Sequence, residues 1–269
     1  MQYINRPINV LIFDSGLGGL SIYKYLFYNL PSLNYVYVFD SKFFPYGDKE
    51  DLFIINRVIK IINKIQKNRS FEIIVLACNT VSVTSIGILK KVFPNQMILG
   101  SFPEVDIAVH STKNNIVCLL ATRKTVEHMS NVIERYSKKY EIYSIYSSEI
   151  VELAEKKIRG ITVSKNRIQS ILIDLSDHKN PDTIILGCTH FSFISSEIKE
   201  AFPSCIHLID SKRSIYNELL NFVYKQQKNK IFYGKSKNLV LCTGFDYKIK
   251  KLYDLFITIG FSDIQRIIV

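Results

Sequence analysis

The sequence predicts an α/β protein built on parallel sheets and organised as two similar halves. Three observations predict it. Short, nearly unbroken apolar runs recur along the chain, amphipathic stretches at helical spacing separate most of them, and two of the runs end in closely similar peptides. A strand covered on both faces loses the alternation of polar and apolar residues, and parallel strands need a long crossover, usually a helix, between them. The pattern therefore reads as parallel sheets with helices on both sides.

In chain order, residues 8–13 form the first buried-strand pattern. Leu20, Tyr23, Phe27 and Leu30 follow at helical spacing and stop at Pro31, which cannot continue a helix. Residues 35–39 are a second strand. Leu52, Ile55, Ile59 and Ile62 mark a second helix, residues 71–77 a third strand, and residues 83–93 a helix that ends before Pro94. Further strands are expected at 97–99, 116–120, 142–146, 183–186 and 206–209, with helices between most of them. The repeated peptides are Ile73-Ile74-Val75-Leu76-Ala77-Cys78-Asn79-Thr80 and Thr183-Ile184-Ile185-Leu186-Gly187-Cys188-Thr189-His190. Each is an apolar strand, a small residue, a cysteine and then polar residues, placed where open parallel sheets form their sites.

Composition narrows the function classes. The 269 residues suffice for one large or two small domains, and 47% hydrophobic residues with 11 Gly and 7 Pro leave no place for long disorder or low-complexity linkers. Five cysteines without close spacing argue for reduced thiols in a cytoplasm rather than a disulfide framework. No run approaches about 18 apolar residues, and the start of the chain, with Asn5 and Arg6, lacks a long apolar segment, so neither secretion nor a membrane span is expected. The nine residues before Val10 leave little room for an added regulatory N-terminal segment. The net charge of +11 is spread over scattered Lys and Arg, which reads as a solvated cationic surface rather than a nucleic-acid site.

Asp14-Ser15-Gly16-Leu17-Gly18-Gly19-Leu20-Ser21 lies between the first strand and the first helix, where glycines expose backbone N–H groups suited to an anion. A dinucleotide-binding reading, and with it an oxidoreductase, would use Asp40 on the ribose. It fails at Ser21, where a third Gly or Ala belongs, and Asp14 would set a carboxylate beside the pyrophosphate. A small carboxylate ligand whose ammonium meets Asp14 fits better.

Cys78 and Cys188 are the sharpest chemical signal. Cys118 and Cys242 lie in or near strand patterns and read as small buried hydrophobes. Cys78 and Cys188 instead follow a strand and precede an expected helix, whose dipole lowers a thiol pKa. Cys188-x-His190 and Cys205-x-His207 resemble metal-ligand pairs, but neither has the spacing of a closed structural site and Cys205-Ile206-His207 falls in an expected buried strand, so no metal is expected. His190 is placed to orient or activate Cys188. His110, His128 and His178 have no chemical context and read as structural, and Pro45-Tyr46-Gly47 reads as a turn.

Taken in order and spacing, Asp14-Ser15-Gly16-x-Gly18-Gly19, Pro45-Tyr46-Gly47, Ala77-Cys78-Asn79-Thr80 and Gly187-Cys188-Thr189-His190 closely resemble the glutamate racemases, nearly from end to end of the chain. Aspartate racemases share the two-cysteine plan and are the nearest rival, but the Asp-Ser-Gly start and the His after Cys188-Thr189 resemble the glutamate branch. The resemblance implies a cofactor-independent racemase that supplies D-glutamate for peptidoglycan, with two similar α/β domains, residues 1–97 plus 210–269 and residues 98–209, and an active site in the cleft between them. It implies Cys78 and Cys188 as the two acid/base residues, Cys78 acting on D-glutamate and Cys188 on L-glutamate. It places substrate contacts at Asp14, Ser15, Tyr46, Gly47, Asn79, Thr80, Thr122, Thr189 and His190, and auxiliary roles at Asp14, Glu155 and His190. Ala121-Thr122 stands where the family usually has Gly-Thr, and Ser147-Ser148 where it usually has Cys-Pro ahead of Glu155. Glutamate is the expected partner, with neither nucleic acid nor membrane, and a homodimer is left open.

The chemistry explains the pairing of residue types. Racemisation removes the α-proton from one face of the carbon and returns a proton to the other, so two groups must flank one atom. A thiol, with a pKa of about 8.5, reaches either protonation state near neutral pH. No pyridoxal lysine motif is evident, so stabilisation of the carbanion is expected from preorganised donors in a closed, dry cleft.

Overall fold

A computed structural model describes residues 6–177, 179–227, 237–244 and 249–269. His178 lies outside the described residues. In chain order the elements are β1 (Asn9–Asp14), α1 (Leu20–Asn29), β2 (Asn34–Phe39), α2 (Asp51–Gln66), β3 (Ile73–Leu76), α3 (Asn79–Val92) and β4 (Met97–Gly100). They continue with α4 (Val105–Ser111), β5 (Ile116–Ala121), α5 (Arg123–Glu134), β6 (Glu141–Tyr146), α6 (Ser148–Ile158), α7 (Lys165–Leu175) and β7 (Thr183–Gly187). A 3₁₀ turn (Thr189–Ile194) leads to α8 (Ser195–Ala201), β8 (His207–Ile209), α9 (Lys212–Gln227), β9 (Leu239–Cys242), α10 (Ile249–Thr258) and β10 (Asp263–Arg266).

These strands form two sheets, β10-β9-β2-β1-β3-β4 and β6-β5-β7-β8, and every pairing among the described residues is parallel. The order β2-β1-β3-β4 in one sheet repeats as β6-β5-β7-β8 in the other, so the similarity of the two cysteine peptides extends to the whole topology. β3 and β7 hold the same place in the repeat. Their burial is complete along the strand, which is why they read as unbroken apolar runs.

Each sheet is covered on both faces. One face of the larger sheet carries an aromatic-rich cluster that includes Tyr23, Tyr35, Tyr37, Phe39, Phe256 and Phe261; the other packs on Ile54, Val58, Ile61 and Ile62 of α2 and Val81 and Leu89 of α3. The smaller sheet packs Ile150, Val151, Ile168 and Leu172 on one side and Val105, Ala108 and Met129 on the other. Among the described residues no helix is long and apolar enough to cross a membrane.

Three local expectations change. β4, expected at 97–99, runs to Gly100 in register with β3, and the chain leaves the larger sheet there. The next residue, Ser101, meets Ser211, which comes after the return from β8, Oγ to Oγ at 2.6 Å, and both are buried. The two crossings between sheets therefore lie side by side. The helix expected from residue 83 begins at Asn79, immediately after Cys78. The segment at Cys205-Ile206-His207, expected as a buried strand, leads into a half-buried edge strand, and Ile206 is 57% exposed.

Candidate active site

Register brings the two cysteines into equivalent positions. β1 pairs Phe13 with Leu76, so two residues farther on Ser15 stands level with Cys78; β5 pairs Ala121 with Gly187, so one residue farther on Thr122 stands level with Cys188. The carboxyl ends of β1, β3, β5 and β7 thereby converge on one cleft. Ser15, Tyr46, Gly47, Cys78, Asn79, Thr80, Thr122, Thr189, His190 and Cys188 all line it, joined by Pro45 and Val151. Of the residues expected to contact substrate, only Asp14 stands behind this wall, fully buried.

The cleft is closed, with a volume of about 10 Å³, space for about one water. An outer chamber of about 300 Å³ adjoins it and shares Pro45, Gly47, Thr122 and Val151 with its wall. Links between the two sheets' elements hold it shut. Thr189 Oγ1 donates to Asp14 Oδ2 at 3.0 Å, Leu17 N–H donates to Glu155 Oε2 at 2.9 Å, and the Thr80 and Thr122 hydroxyls meet at 2.9 Å. Thr122 thus keeps a hydroxyl in the cleft wall beside Ala121.

The glycine-rich loop after β1 works differently from the anion cradle expected of it. Gly16 N–H donates to Asp14 Oδ1 at 2.9 Å and Leu17 N–H to Glu155, so these donors serve the protein's own carboxylates. The loop needs its glycines for close approach: a Cβ on Gly18 would collide with Thr189 Oγ1 and stand 2.7 Å from His190 N. Asp40, the acid of the dinucleotide reading, is likewise engaged within the protein. It takes Arg57 Nε at 2.8 Å and the second guanidinium nitrogen at 2.9 Å, together with Tyr46 Oη at 2.6 Å and the Thr243 hydroxyl. Burial alone would raise its pKa, but these partners outweigh it and hold the carboxyl below the usual range. Asp40 is therefore the anchor that fixes Tyr46 in the cleft wall.

Around the two thiols the surroundings diverge. Cys78 Sγ lies 3.6 Å from Ser15 Oγ, which in turn lies 3.4 Å from Asp14 Oδ1. Burial and the neighbouring Asp14 push the Cys78 thiol up to about 12, outweighing the start of α3; the dipole-lowered pKa expected from sequence does not hold for this residue. Cys188 Sγ lies 3.6 Å from His190 Nδ1, and the chain beyond Cys188 forms a 3₁₀ turn rather than the expected α-helix. His190 Nε2 in turn lies 2.9 Å from Glu155 Oε2, while Arg159 Nε donates to Glu155 Oε1 at 2.8 Å. Burial opposes a charged imidazole, but Cys188 and Glu155 outweigh it and raise the His190 pKa well above the ordinary histidine value. Burial also opposes the Glu155 carboxylate, and His190, Arg159 and Leu17 N–H together hold its pKa below the usual range. Ser147, at the departure from the family pattern, caps α6 by accepting from Ile150 N–H at 3.2 Å, so the helix that carries Glu155 starts normally.

Cys118 and Cys242 are buried in β5 and β9, away from the cleft wall. Sequence reasoning missed Arg159, although its spacing four residues after Glu155 on a helix is a readable ion-pair signal. It also missed the Asp40–Arg57 pair, whose partners lie on different elements.

No family model matches the chain. Comparison with curated proteins finds the glutamate racemase of Pectobacterium carotovorum, 38% identical over 98% of this chain and 92% of that one. The glutamate racemase of Buchnera aphidicola is 40% identical over 96% of this chain and 99% of that one. Among solved structures, Escherichia coli glutamate racemase in complex with L-glutamate and the activator UDP-MurNAc-Ala superposes with a TM-score of 0.88 at 34% identity, covering 98% of this chain and 99% of that one. On end-to-end similarity of sequence and fold, the chain belongs to the glutamate racemase family.

Proposed function

We propose that this protein interconverts L- and D-glutamate without a cofactor, using Cys78 and Cys188 as the two acid/base groups, and so supplies D-glutamate to peptidoglycan synthesis in the cytoplasm. The observation that carries the reading is the pair of thiols, each 7% exposed, at the ends of equivalent strands on one cleft. The protein divides on this reading into a unit around each sheet, with the crossings at Ser101 and Ser211 acting as the hinge. Opening about that hinge releases the links across the cleft, and glutamate enters through the outer chamber.

The surroundings of the thiols fix where the protons start. A two-base racemase must begin each turnover with one thiolate and one thiol. Cys78, raised to about 12, supplies the thiol, so the two-base scheme leaves the thiolate role to Cys188, whose sulfur faces His190 backed by Glu155. In this state the enzyme accepts L-glutamate. Cys188 takes the α-proton, the electron pair remains on Cα and its carboxylate, and Cys78 delivers its proton to the opposite face. The product is D-glutamate, with Cys78 now the thiolate and Cys188 the thiol. The reverse reaction starts from that state. The backbone N–H groups of Ser15, Asn79 and Thr189, rather than those of Gly16 and Leu17, are the donors proposed for the α-carboxylate, and Tyr46, Thr80 and Thr122 shape the wall around the rest of the substrate.

Purified protein, freed of small molecules and incubated with L-glutamate or D-glutamate in turn, is expected to bring the circular dichroism signal of each to zero, and to act on aspartate at least about tenfold less efficiently, since a one-carbon misfit leaves polar groups unpaired. Unchanged signals from both glutamate enantiomers would contradict the reading, and equal or better turnover of aspartate would move it to that substrate.

A further inference from the structure

The auxiliary roles implied by the family resemblance stop at Glu155. The chain of charge does not. Glu155 is buried on α6, and its two oxygens are divided: Oε2 receives both Leu17 N–H and His190 Nε2, at 2.9 Å each, whereas Oε1, among the described residues, receives Arg159, from Nε and from a terminal guanidinium nitrogen, both at 2.8 Å. The Arg159 side chain is only 14% exposed. Its placement is built into the end of the helix. Gly160 adopts φ +71°, the left-handed region that favours glycine, and Ile161 N–H closes back on Lys156 O at 3.0 Å, which ends α6 one turn after Glu155 and sets Arg159 at the spacing that meets it.

We propose that Arg159 is a positioning residue for the reaction: by occupying the outer oxygen of Glu155 it keeps that carboxylate ionised and in a single orientation, so that the inner oxygen holds both the loop after β1 and the imidazole that faces Cys188. This rests on the reading of Cys78 and Cys188 as the acid/base pair. The contacts described for Arg159 lie on Glu155, and it is not among the described residues that line the cleft. The titratable and charged groups described against Glu155 are His190 from the turn after β7, Asp14 from β1, Tyr37 from β2 and Arg159 from its own helix. Of these, Asp14 is the like charge that opposes an ionised Glu155, and Arg159 is the cation that does not take part in proton transfer. Removing it leaves a buried carboxyl that is easier to protonate, and a neutral Glu155 no longer accepts from both partners on one oxygen.

The test is the pH dependence of kcat/KM for wild type, Arg159→Met and Arg159→Lys. The sign is fixed: activity requires the Glu155 carboxylate, so it is lost as pH falls, and without Arg159 it is lost at higher pH. Arg159→Met is expected to move the acidic midpoint up by about one pH unit or more, and Arg159→Lys, which restores the charge, to return it most of the way. Should Arg159→Met not fold, Arg159→Gln, which keeps a hydrogen-bond donor without the charge, carries the same expectation. A midpoint that stays in place, whether activity is uniformly reduced or unchanged, overturns the proposal. Failure of wild type to racemise glutamate would instead sink the functional reading itself, before the variants are compared.

Discussion

Cys78 and Cys188 close equivalent strands of a repeated topology, are equally exposed, and face one cleft, yet one is surrounded by neutral and acidic oxygen and the other by a cation. The difference lies in a few side chains. On the Cys78 side, Ser15 and Asp14 sit at the end of β1; on the Cys188 side, His190, Glu155 and Arg159 form a line of alternating charge that reaches almost to the surface. Identical surroundings would leave a single proton shared evenly between the two sulfurs, because two thiolates on one cleft repel each other. On the two-cysteine reading, unequal surroundings set which sulfur holds the proton before substrate enters, and so which enantiomer the resting state accepts.

Thermodynamics limits how this inequality can show itself. The enantiomers are equally stable in water, so kcat/KM must be the same in both directions at every pH, whatever the protein does. The largest expected effect is therefore shared: Cys78→Ser and Cys188→Ser should each lower kcat/KM by about 10²–10⁴, equally from either enantiomer, because a hydroxyl is too weak an acid to take over the proton transfer. Cys118→Ser and Cys242→Ser, removed from the cleft, should leave it near the wild-type value. A folded Cys78→Ser or Cys188→Ser protein with near wild-type racemisation would remove one half of the comparison.

Reactivity toward an alkylating agent sharpens the comparison, since it is free of that constraint. With equal exposure, a thiol held near 12 and a sulfur paired with an imidazolium should differ in their rate of attack on iodoacetamide near neutral pH, Cys188 reacting on the order of tenfold faster or more. Peptide mass spectrometry distinguishes the two. Faster labelling of Cys78 would reverse the assigned resting state.

The legible and illegible parts of this molecule are separated by distance along the chain. β1, β3, β5 and β7 are legible because a parallel strand buried on both faces is apolar throughout, and the residues that follow them line the cleft. β10 escapes sequence reading because three of its four residues, Asp263, Gln265 and Arg266, are polar and exposed at the sheet edge, leaving Ile264 alone as an apolar signal. The start of α3 is hidden because Asn79-Thr80-Val81-Ser82 has low helix propensity; the fold supplies what propensity lacks, with Ser82 Oγ donating to Leu76 O at 2.9 Å. At the site, Cys78, Cys188 and the cleft-wall residues are legible as short peptides. Sequence could not convey how distant groups pair: Arg57 with Asp40 behind Tyr46, Leu17 with Glu155, and Thr189 with Asp14.

The central claim is that the proton leaves on one sulfur and arrives from the other, and its most direct test is a reaction in deuterium oxide stopped after a few per cent conversion. The two enantiomers are then separated and weighed by mass spectrometry. Beginning from L-glutamate, the account predicts that the D-glutamate formed carries solvent deuterium at Cα while the remaining L-glutamate keeps its hydrogen, because the incoming proton comes from the Cys78 thiol, which has exchanged with solvent. D-glutamate that retains the original hydrogen would mean a single base working both faces, and would contradict the two-cysteine account.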